Sequence, residues 1–184
     1  MIEIREETKN DYDEIRLVNN IAFGQTTEGM IVDKLRDSSK EILSLVAAKN
    51  DKIIGHILFS PAHIDTNSET IKGIALGPMS VLPEFQNKGI GTMLVKEGLR
   101  LIKEMSYPFV VVLGHKKYYP RFGFEPASIY NLKCPWEGVP DEAFMVLLFN
   151  DAAIKNINGT IKYRDEFNEA VRHHPQIRML NKYY

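Results

Sequence analysis

The segment QNKGIG, residues 86–91, joins a strand-like run to a helix-like run and carries residue types that suit an anion. The first N–H groups of a helix have no partner inside the helix, and the helix dipole places partial positive charge on them. Glycine lets the backbone approach a bulky anion closely, and Lys88 adds a formal charge. Because successive N–H groups in such a turn converge on a diphosphate, the segment predicts a diphosphate-binding turn. The alternative interpretation is a helix start that needs glycine only for packing.

Several other binding chemistries are disfavoured. The Walker A spacing and the Gly-x-Gly-x-x-Gly pattern are both missing, which argues against a nucleotide triphosphate and against a dinucleotide. The formal net charge of −1 provides no global basic field for nucleic acid or for an anionic membrane. The single cysteine, Cys134, excludes an internal disulfide, and paired Cys/His zinc spacing is missing, so we expect no metal.

The composition is that of one globular domain. The chain has 184 residues, of which 44% are hydrophobic and 26% are charged. No run approaches the roughly 20 apolar residues that cross a bilayer. The first residues, MIEIREETKND, are polar and strand-like, so we expect no signal peptide and a cytoplasmic location.

Strands and helices that would position the turn follow one another along the chain. Alternating or continuous apolar runs predict strands at residues 2–4, 42–48, 52–64, 70–81, 109–113 and 143–149. Helical spacing predicts helices from the Thr8–Asp11 capping box to Phe23, from Glu28 to Arg36, from Gly89 to Met105 and, briefly, from Tyr118 to Phe122. Gly123 is placed to end the last of these in a left-handed conformation. The tail from about Asn150 is more polar and carries no clear pattern.

Apolar residues support each of the three longer helices. In the first helix, apolar residues follow at mixed helical spacing, namely Tyr12, Ile15, Leu17, Val18 and Ile21. In the second helix, Ile31, Val32 and Leu35 are expected to face inward. The apolar face of the third helix includes Ile90, Met93, Leu94, Leu101, Ile102 and Met105.

Two motifs together resemble the GCN5-related N-acetyltransferase (GNAT) family. Residues 81–94, VLPEFQNKGIGTML, resemble its motif A, Gln/Arg-x-x-Gly-x-Gly/Ala after a strand that ends near Val-x-Pro. Residues 118–124, YYPRFGF, resemble its motif B, Tyr-x-x-x-Gly-Phe, in the family's order around a strand, a helix and a strand.

More narrowly, five segments resemble the YhbS-like branch of bacterial acetyltransferases. They are LGP at 76–78, LGH at 113–115, YYPRFGF, VPDEAFM at 139–145 and GTIKY at 159–163. The resemblance covers residues 1–167 as one N-acetyltransferase domain and leaves residues 168–184 as a C-terminal tail of unknown role.

The resemblance implies an α/β (α+β) architecture, the acyl-CoA N-acyltransferase fold. Its central sheet is mixed and mostly antiparallel, with helices on both faces and a splayed parallel strand pair, here residues 70–81 and 109–113. The co-substrate would be acetyl-CoA, with no metal. The implied cofactor-binding residues are Met79, Ser80 and Val81 for the pantetheine arm and Gln86, Asn87, Lys88, Gly89, Ile90, Gly91 and Thr92 for the diphosphate.

The implied reaction is direct transfer of the acetyl group to a primary amine of a small molecule or a protein. The amine must lose a proton, and the oxyanion of the tetrahedral intermediate is expected on the Val81 N–H. The family's general acid is often a tyrosine four residues before the glycine of the Gly-Phe pair, which here is Tyr119. A tyrosine is protonated at pH 7 and can donate to the departing thiolate, whereas Tyr118 is expected to pack inward.

His115 and Glu28 complete the candidate catalytic residues, and each has an alternative interpretation. His115 follows the apolar strand, where it would relay a proton or contact the cofactor, or would be a satisfied loop histidine. Glu28 begins the predicted second helix, where it would attract the amine, or would be a first-turn acid that favours the helix dipole. No residue is an unambiguous general base.

The main alternative function is a non-catalytic acyl-CoA-binding sensor or scaffold that keeps the pocket without turnover. Thiol release in the presence of amines would distinguish the two. The sequence does not name the acceptor, and it leaves open a homodimer formed near residues 143–149.

Overall fold

The computed structural model describes residues 1–66, 68–150, 154 and 157–168. These residues contain three α-helices, which are α1 (Tyr12–Phe23), α2 (Thr27–Ser38) and α3 (Ile90–Glu104). They also contain nine strands, which are β1 (Ile2–Glu6), β2 (Leu43–Lys49), β3 (Lys52–Asp65), β4 (Thr70–Val81), β5 (Phe109–Leu113), β6 (Glu125–Pro126), β7 (Leu132–Lys133), β8 (Phe144–Leu148) and β9 (Gly159–Lys162).

The strands form one mixed sheet. Its order is β1-β2-β3-β4-β5-β8-β6, and β9 pairs with both β3 and β7. The pairs β1–β2, β2–β3, β3–β9, β5–β8 and β6–β8 are antiparallel. Only β4–β5 and β7–β9 are recorded as parallel among the described residues. The predicted mixed, mostly antiparallel sheet is confirmed.

The parallel β4–β5 pair is short relative to its strands. Its register runs from Ile74↔Val110 to Leu76↔Val112, and β4 continues beyond Leu76 to Val81. Gly77, at a φ of +146°, and Pro78 follow the last register pair directly. Proline has no backbone N–H to donate to a ladder, so the sequence itself limits the pairing at this point.

The chain divides into two compact units, of which the first contains Met1–Ser60 and Gly77–Leu101. Helix α1 buries one face of its surface, made of Ile15, Val18, Asn19 and Ala22. This spacing brings the four side chains to the same side of a helix. Helix α2 likewise buries Gly29, Ile31, Val32 and Leu35.

In α1, Leu17 and Ile21 are 57% and 46% exposed, because they lie off its buried face. The apolar face predicted for α3 is buried only in part. Met93 on α3 is 40% exposed, and Met105, just past the end of that helix, is 52% exposed. The other predicted core residues of α3 are buried or half-buried.

The second unit contains Pro61–Leu76 and the described residues from Ile102 onward. Strand β5 is its centre, since β8 lies on one edge of β5 and β4 on the other, and Phe109–Val112 are buried. The hydrophobic core of this unit comprises Ala62, Ile64, Ala75, Phe109, Val111, Ala127, Leu132, Phe144, Val146, Ile154 and Ile161. Cys134 packs against this core, and burial raises the pKa of its thiol. Both observations fit a packing role for this cysteine.

Most of the predicted elements are confirmed within one or two residues. The Thr8–Asp11 capping box is present, with the Thr8 amide donating to Asp11 Oδ2 at 2.6 Å. Gly123 ends the short 3₁₀ turn Tyr119–Phe122 at a φ of +91°. Strands β6, β7 and β9 were not predicted. The proposed C-terminal tail lies, apart from Asn168, outside the described residues.

Candidate active site

The turn between β4 and α3 contains two residues with a left-handed backbone. Asn87 and Gly89 adopt left-handed φ values of +58° and +83°, with Lys88 between them. Asparagine and glycine are the residues that reach this region at low cost. A side chain on Gly89 would meet nothing within 4 Å, so the space above the turn is open.

Side chains hold this turn in place. Gln86 Nε2 donates to the Val81 carbonyl at 3.0 Å and so ties the turn to the end of β4. Lys88 Nζ donates to the Glu84 carbonyl at 2.8 Å. Gln86 therefore helps to fix the shape of the turn.

The first turn of α3 presents backbone donors beside this open space. Met93 N donates to Gly89 O at 3.0 Å, which is the first helical bond that reaches back over the turn. Helical geometry leaves the amides that precede Met93, from Ile90 to Thr92, without a carbonyl four residues earlier in the helix. Together with the helix dipole, this arrangement suits an anion.

The end of β4 leads directly into the turn. Met79, Ser80 and Val81 are buried, and the Ser80 hydroxyl has no hydrogen-bond partner within the described part of the chain. The Ser80 carbonyl lies close to Gly55 of β3, where an added Cβ would be 3.2 Å from it. Gly55 therefore allows β3 to pack closely against the end of β4.

Tyr119 lies in the second unit and is 2% exposed. Its ring makes edge contacts with Tyr118 and Phe124, at centroid distances of 5.1 and 5.6 Å. An added Cβ on Gly114 would lie 2.2 Å from Tyr119 Cε2, so only glycine at the end of β5 leaves room for this ring. Tyr118 is only half-buried, so Tyr119 is the more buried of the two. The Arg121 guanidinium lies 4.1 Å from the Tyr118 ring centroid.

His115 and Glu28 both have local partners. The Lys117 amide donates to His115 Nδ1 at 3.1 Å, so the other ring nitrogen, Nε2, is the one left to face a ligand. Gln25 Nε2 donates to both carboxylate oxygens of Glu28 at 2.9 Å, in the first turn of α2. Glu28 and the β4–α3 turn belong to the first unit, whereas His115 and Tyr119 belong to the second.

A buried polar cluster in the first unit was missed by the sequence analysis. It joins Glu7, Arg36, Ser44, His56 and Asn19 by side-chain hydrogen bonds. The only sequence indication was a histidine inside the apolar run IIGHILF of β3. Its partners come from α1, α2, β2 and the connection after β1, so no local spacing reveals them.

No group of three or more His, Cys, Asp or Glu side chains within the described ranges is arranged to hold a metal ion. In the same ranges, no helix is long and apolar enough to span a membrane.

Comparisons with known proteins agree with this acyltransferase architecture. A family model described as "Acetyltransferase (GNAT) domain" matches residues 3–127. The uncharacterized N-acetyltransferase YhbS of Escherichia coli (strain K12) is 34% identical over 148 residues, which are 80% of this chain and 87% of YhbS.

Two solved structures extend the similarity to the fold. The crystal structure of Escherichia coli YhbS in complex with CoA has a TM-score of 0.83 at 33% identity and covers 91% of this chain and 92% of that one. A GNAT family acetyltransferase from Brucella melitensis in complex with acetyl-CoA has a TM-score of 0.73 at 34% identity and covers 91% and 98%.

The fold defines the class, that of the acyl-CoA-dependent acyltransferases. Within that class, the chain belongs to the GNAT acetyltransferase family, as its two motifs predicted. It is an acetyl-CoA-dependent N-acetyltransferase, which confirms the enzyme class that the resemblance implied.

Proposed function

We propose that the chain transfers the acetyl group of acetyl-CoA directly to a primary amine of a small molecule or a protein. The amine nitrogen attacks the thioester carbon, the new C–N bond forms and the C–S bond breaks. The amine loses one proton, and the departing CoA thiolate gains one. No covalent acetyl-enzyme is required.

The β4–α3 turn would hold the cofactor. In this proposal the backbone amides of residues 87–92 bind the diphosphate, and Gln86 keeps the turn in shape. The pantetheine arm pairs with the backbone of Met79–Val81 as an added strand would, and the Val81 N–H receives the oxyanion. The observation that carries the proposal is the pair of left-handed residues, Asn87 and Gly89, directly before the open start of α3. The CoA and acetyl-CoA complexes of the relatives support it.

Tyr119 would donate the proton to the departing thiolate. Its motif position motivates the role, and the packing of its ring against Gly114 supports it, because a fixed ring holds the hydroxyl in one place. His115 would relay a proton or contact the cofactor through Nε2, and Glu28 would attract the amine. Both roles are minor parts of the proposal, since each side chain also has a sufficient local partner.

Thiol release from acetyl-CoA, measured over a panel of primary amines, tests the transfer. We expect at least one amine to raise the rate well above hydrolysis. Calorimetry on the same preparation measures acetyl-CoA binding. Tight binding without turnover on any amine would instead support the sensor function.

Substitution of Gly89 by glutamate tests the diphosphate turn. The new side chain fits, but its charge opposes the diphosphate and its Cβ requires a disfavoured φ. We expect acetyl-CoA affinity to fall by at least tenfold, measured by calorimetry.

The matched control is Gly138→Glu, because Gly138 has a similar φ of +76° and equally open surroundings in the second unit. It adds the same charge and similar strain away from the turn, so affinity should remain unchanged. Unchanged affinity in the Gly89 variant would refute the placement of the diphosphate.

The proposal also includes one catalytic domain over residues 1–167, a cytoplasmic location and, near β8, a homodimer interface. Strand β8 lies between β5 and β6, so such an interface would use the half-buried Leu147–Phe149 rather than a free strand edge. Light scattering of the purified protein tests the oligomeric state.

A further inference from the structure

Two lysine side chains converge on one aromatic ring next to the β4–α3 turn. The ring is that of Phe85, the last residue of the short 3₁₀ turn Pro83–Phe85. Lys49 Nζ lies 5.3 Å from the ring centroid and Lys88 Nζ lies 5.5 Å from it. Both distances are those of cation–π contacts, so the ring holds two positive charges close to residues 86–91.

The backbone brings Lys49 to this place. Leu82 N, just after β4, donates to Ile54 O of β3 at 2.9 Å, so the start of the β2–β3 hairpin lies along the connection to the turn. Lys49 is the last residue of β2, and it pairs across the hairpin with Lys52. A third positive charge therefore stands at the same hairpin end.

These charges are not neutralised within the described residues. No ion pair between either Lys49 or Lys88 and a carboxylate is recorded there, and Lys88 bonds only to a backbone carbonyl. The acids closest in sequence are Asp51 and Glu84, and neither forms an ion pair with Lys49 or Lys88 among the described residues. Like charges held together without a counter-ion repel one another, so the arrangement favours an anion that arrives from solution.

The chemistry of CoA supplies such an anion. Besides its diphosphate, CoA carries a 3′-phosphate on the ribose, a dianion at neutral pH, and dephospho-CoA lacks only this group. The amides of the turn are assigned to the diphosphate, which leaves the 3′-phosphate without a partner.

We propose that Lys49, together with Lys88, binds the 3′-phosphate of CoA and makes the enzyme select CoA over dephospho-CoA. The proposal rests on the proposed function, since it requires the diphosphate to occupy the adjacent turn. Phe85 holds the two ammonium groups in position before the cofactor binds. Lysine acts here as a point charge toward phosphate, without the bidentate geometry of arginine.

Calorimetry with CoA and with dephospho-CoA tests the proposal on the full chain. At low salt we expect the wild type to bind CoA about five- to tenfold more tightly than dephospho-CoA. Lys49→Met should lower this ratio to about two by weakening CoA alone, because the substitution leaves every contact to dephospho-CoA in place. The ratio should also fall as ionic strength rises, since exposed charges are screened.

Lys96→Met is the matched control, because Lys96 is an exposed lysine further along α3 and its loss changes the net charge equally. It should leave the ratio unchanged. Equal binding of both ligands by the wild type, or equal weakening of both in the Lys49 variant, would overturn the proposal. If the wild type binds neither ligand, the diphosphate turn itself fails and this inference fails with it. A Gly89→Glu variant that weakens both ligands, beside a Lys49 variant that weakens only CoA, would support both.

Discussion

The ring of Tyr119 is buried, and it occupies space that is open only because Gly114 has no side chain. Replacing it with phenylalanine keeps the ring, so the packing with Tyr118 and Phe124 should remain. If the hydroxyl donates the proton to the thiolate, turnover should fall by about a hundredfold, while acetyl-CoA affinity changes little. Thiol release under saturating acetyl-CoA and calorimetry measure the two quantities separately.

Tyr118→Phe is the control for this prediction. Tyr118 is half-buried, precedes Tyr119 and contacts the Tyr119 ring. The Tyr118→Phe substitution therefore removes the same hydroxyl group from a neighbouring tyrosine. We expect its turnover to stay close to wild type. Wild-type turnover in the Tyr119 variant across the pH range would remove Tyr119 as the general acid.

Residues whose role depends on neighbours in the chain could be predicted from sequence, and others could not. The left-handed conformation of Gly123 follows from its position at the end of a short helical turn. Gln86 is tied to Val81, five residues earlier. By contrast, Lys49 meets Phe85 only because a hairpin folds back along β4. No local pattern contains that contact.

Helix α3 packs on strand β3 through a glycine. An added Cβ on Gly98 would lie 2.2 Å from Phe59 Cε2, and Phe59 is fully buried. Within an exposed helix, Gly→Ala stabilises by about 1 kcal/mol. Here the new methyl group would overlap the Phe59 ring, so the substitution should lower the stability instead of raising it. We expect Gly98→Ala to destabilise the fold by about 1–3 kcal/mol.

Chemical denaturation measures this effect as the free energy of unfolding. Lys96→Ala, at an exposed position of the same helix, is the control and should change stability by less than about 0.5 kcal/mol. A Gly98→Ala variant at least as stable as the wild type would show that the α3–β3 contact can relax.

Long elements with a clear period could be predicted, whereas elements defined only by a partner could not. Strands β4 and β5 and helix α3 have apolar runs that specify them alone. Strands β6 and β7 are two residues each, and they exist because β8 and β9 pair with them. The buried face of α1 does not follow from apolar residues alone, because Leu17 and Ile21 are as apolar as Ile15 yet exposed, while the polar Asn19 takes a core position.

At the scale of the whole molecule, the buried cluster around His56 links four elements of the first unit. Ser44 donates to Glu7 at 2.5 Å and lies 2.9 Å from His56 Nε2, so this nitrogen must donate to the serine oxygen. Asn19 Nδ2 lies 3.1 Å from Nδ1, which therefore accepts. Each ring nitrogen thus has one partner that suits the neutral imidazole with its proton on Nε2.

Burial lowers the pKa of His56 from 6.5 to about 4. The desolvation of Glu7 opposes its ionisation, but hydrogen bonds from Arg36 and Ser44 outweigh it and hold the pKa of Glu7 below its ordinary value. Both groups are therefore less protonated in the folded state than in the unfolded one over part of the acid range. Stability must rise with pH there and fall as the solution is acidified.

The window of the histidine effect lies between pH 6.5, the unfolded pKa, and about pH 4, the folded pKa. Across this window unfolding takes up one extra proton at His56, so the free energy of unfolding should decrease by about 1.4 kcal/mol for each pH unit of acidification. The contribution of Glu7 is lost only at the acid end, below its ordinary pKa of 4.5. Urea denaturation in buffers from pH 7.5 to pH 4.5 measures the slope.

His56→Gln removes the titrating group and keeps a polar side chain. The slope of the unfolding free energy against pH should therefore fall by about 1.4 kcal/mol per pH unit, whatever the absolute stability of the variant. The control is His63→Gln, the same substitution at a half-exposed histidine of the second unit. Its slope should stay clearly steeper than that of the His56 variant. The His56 variant lacks the titrating imidazole of the first unit. If its unfolding free energy still changes with pH as steeply as that of the wild type, the acid sensitivity comes from other groups.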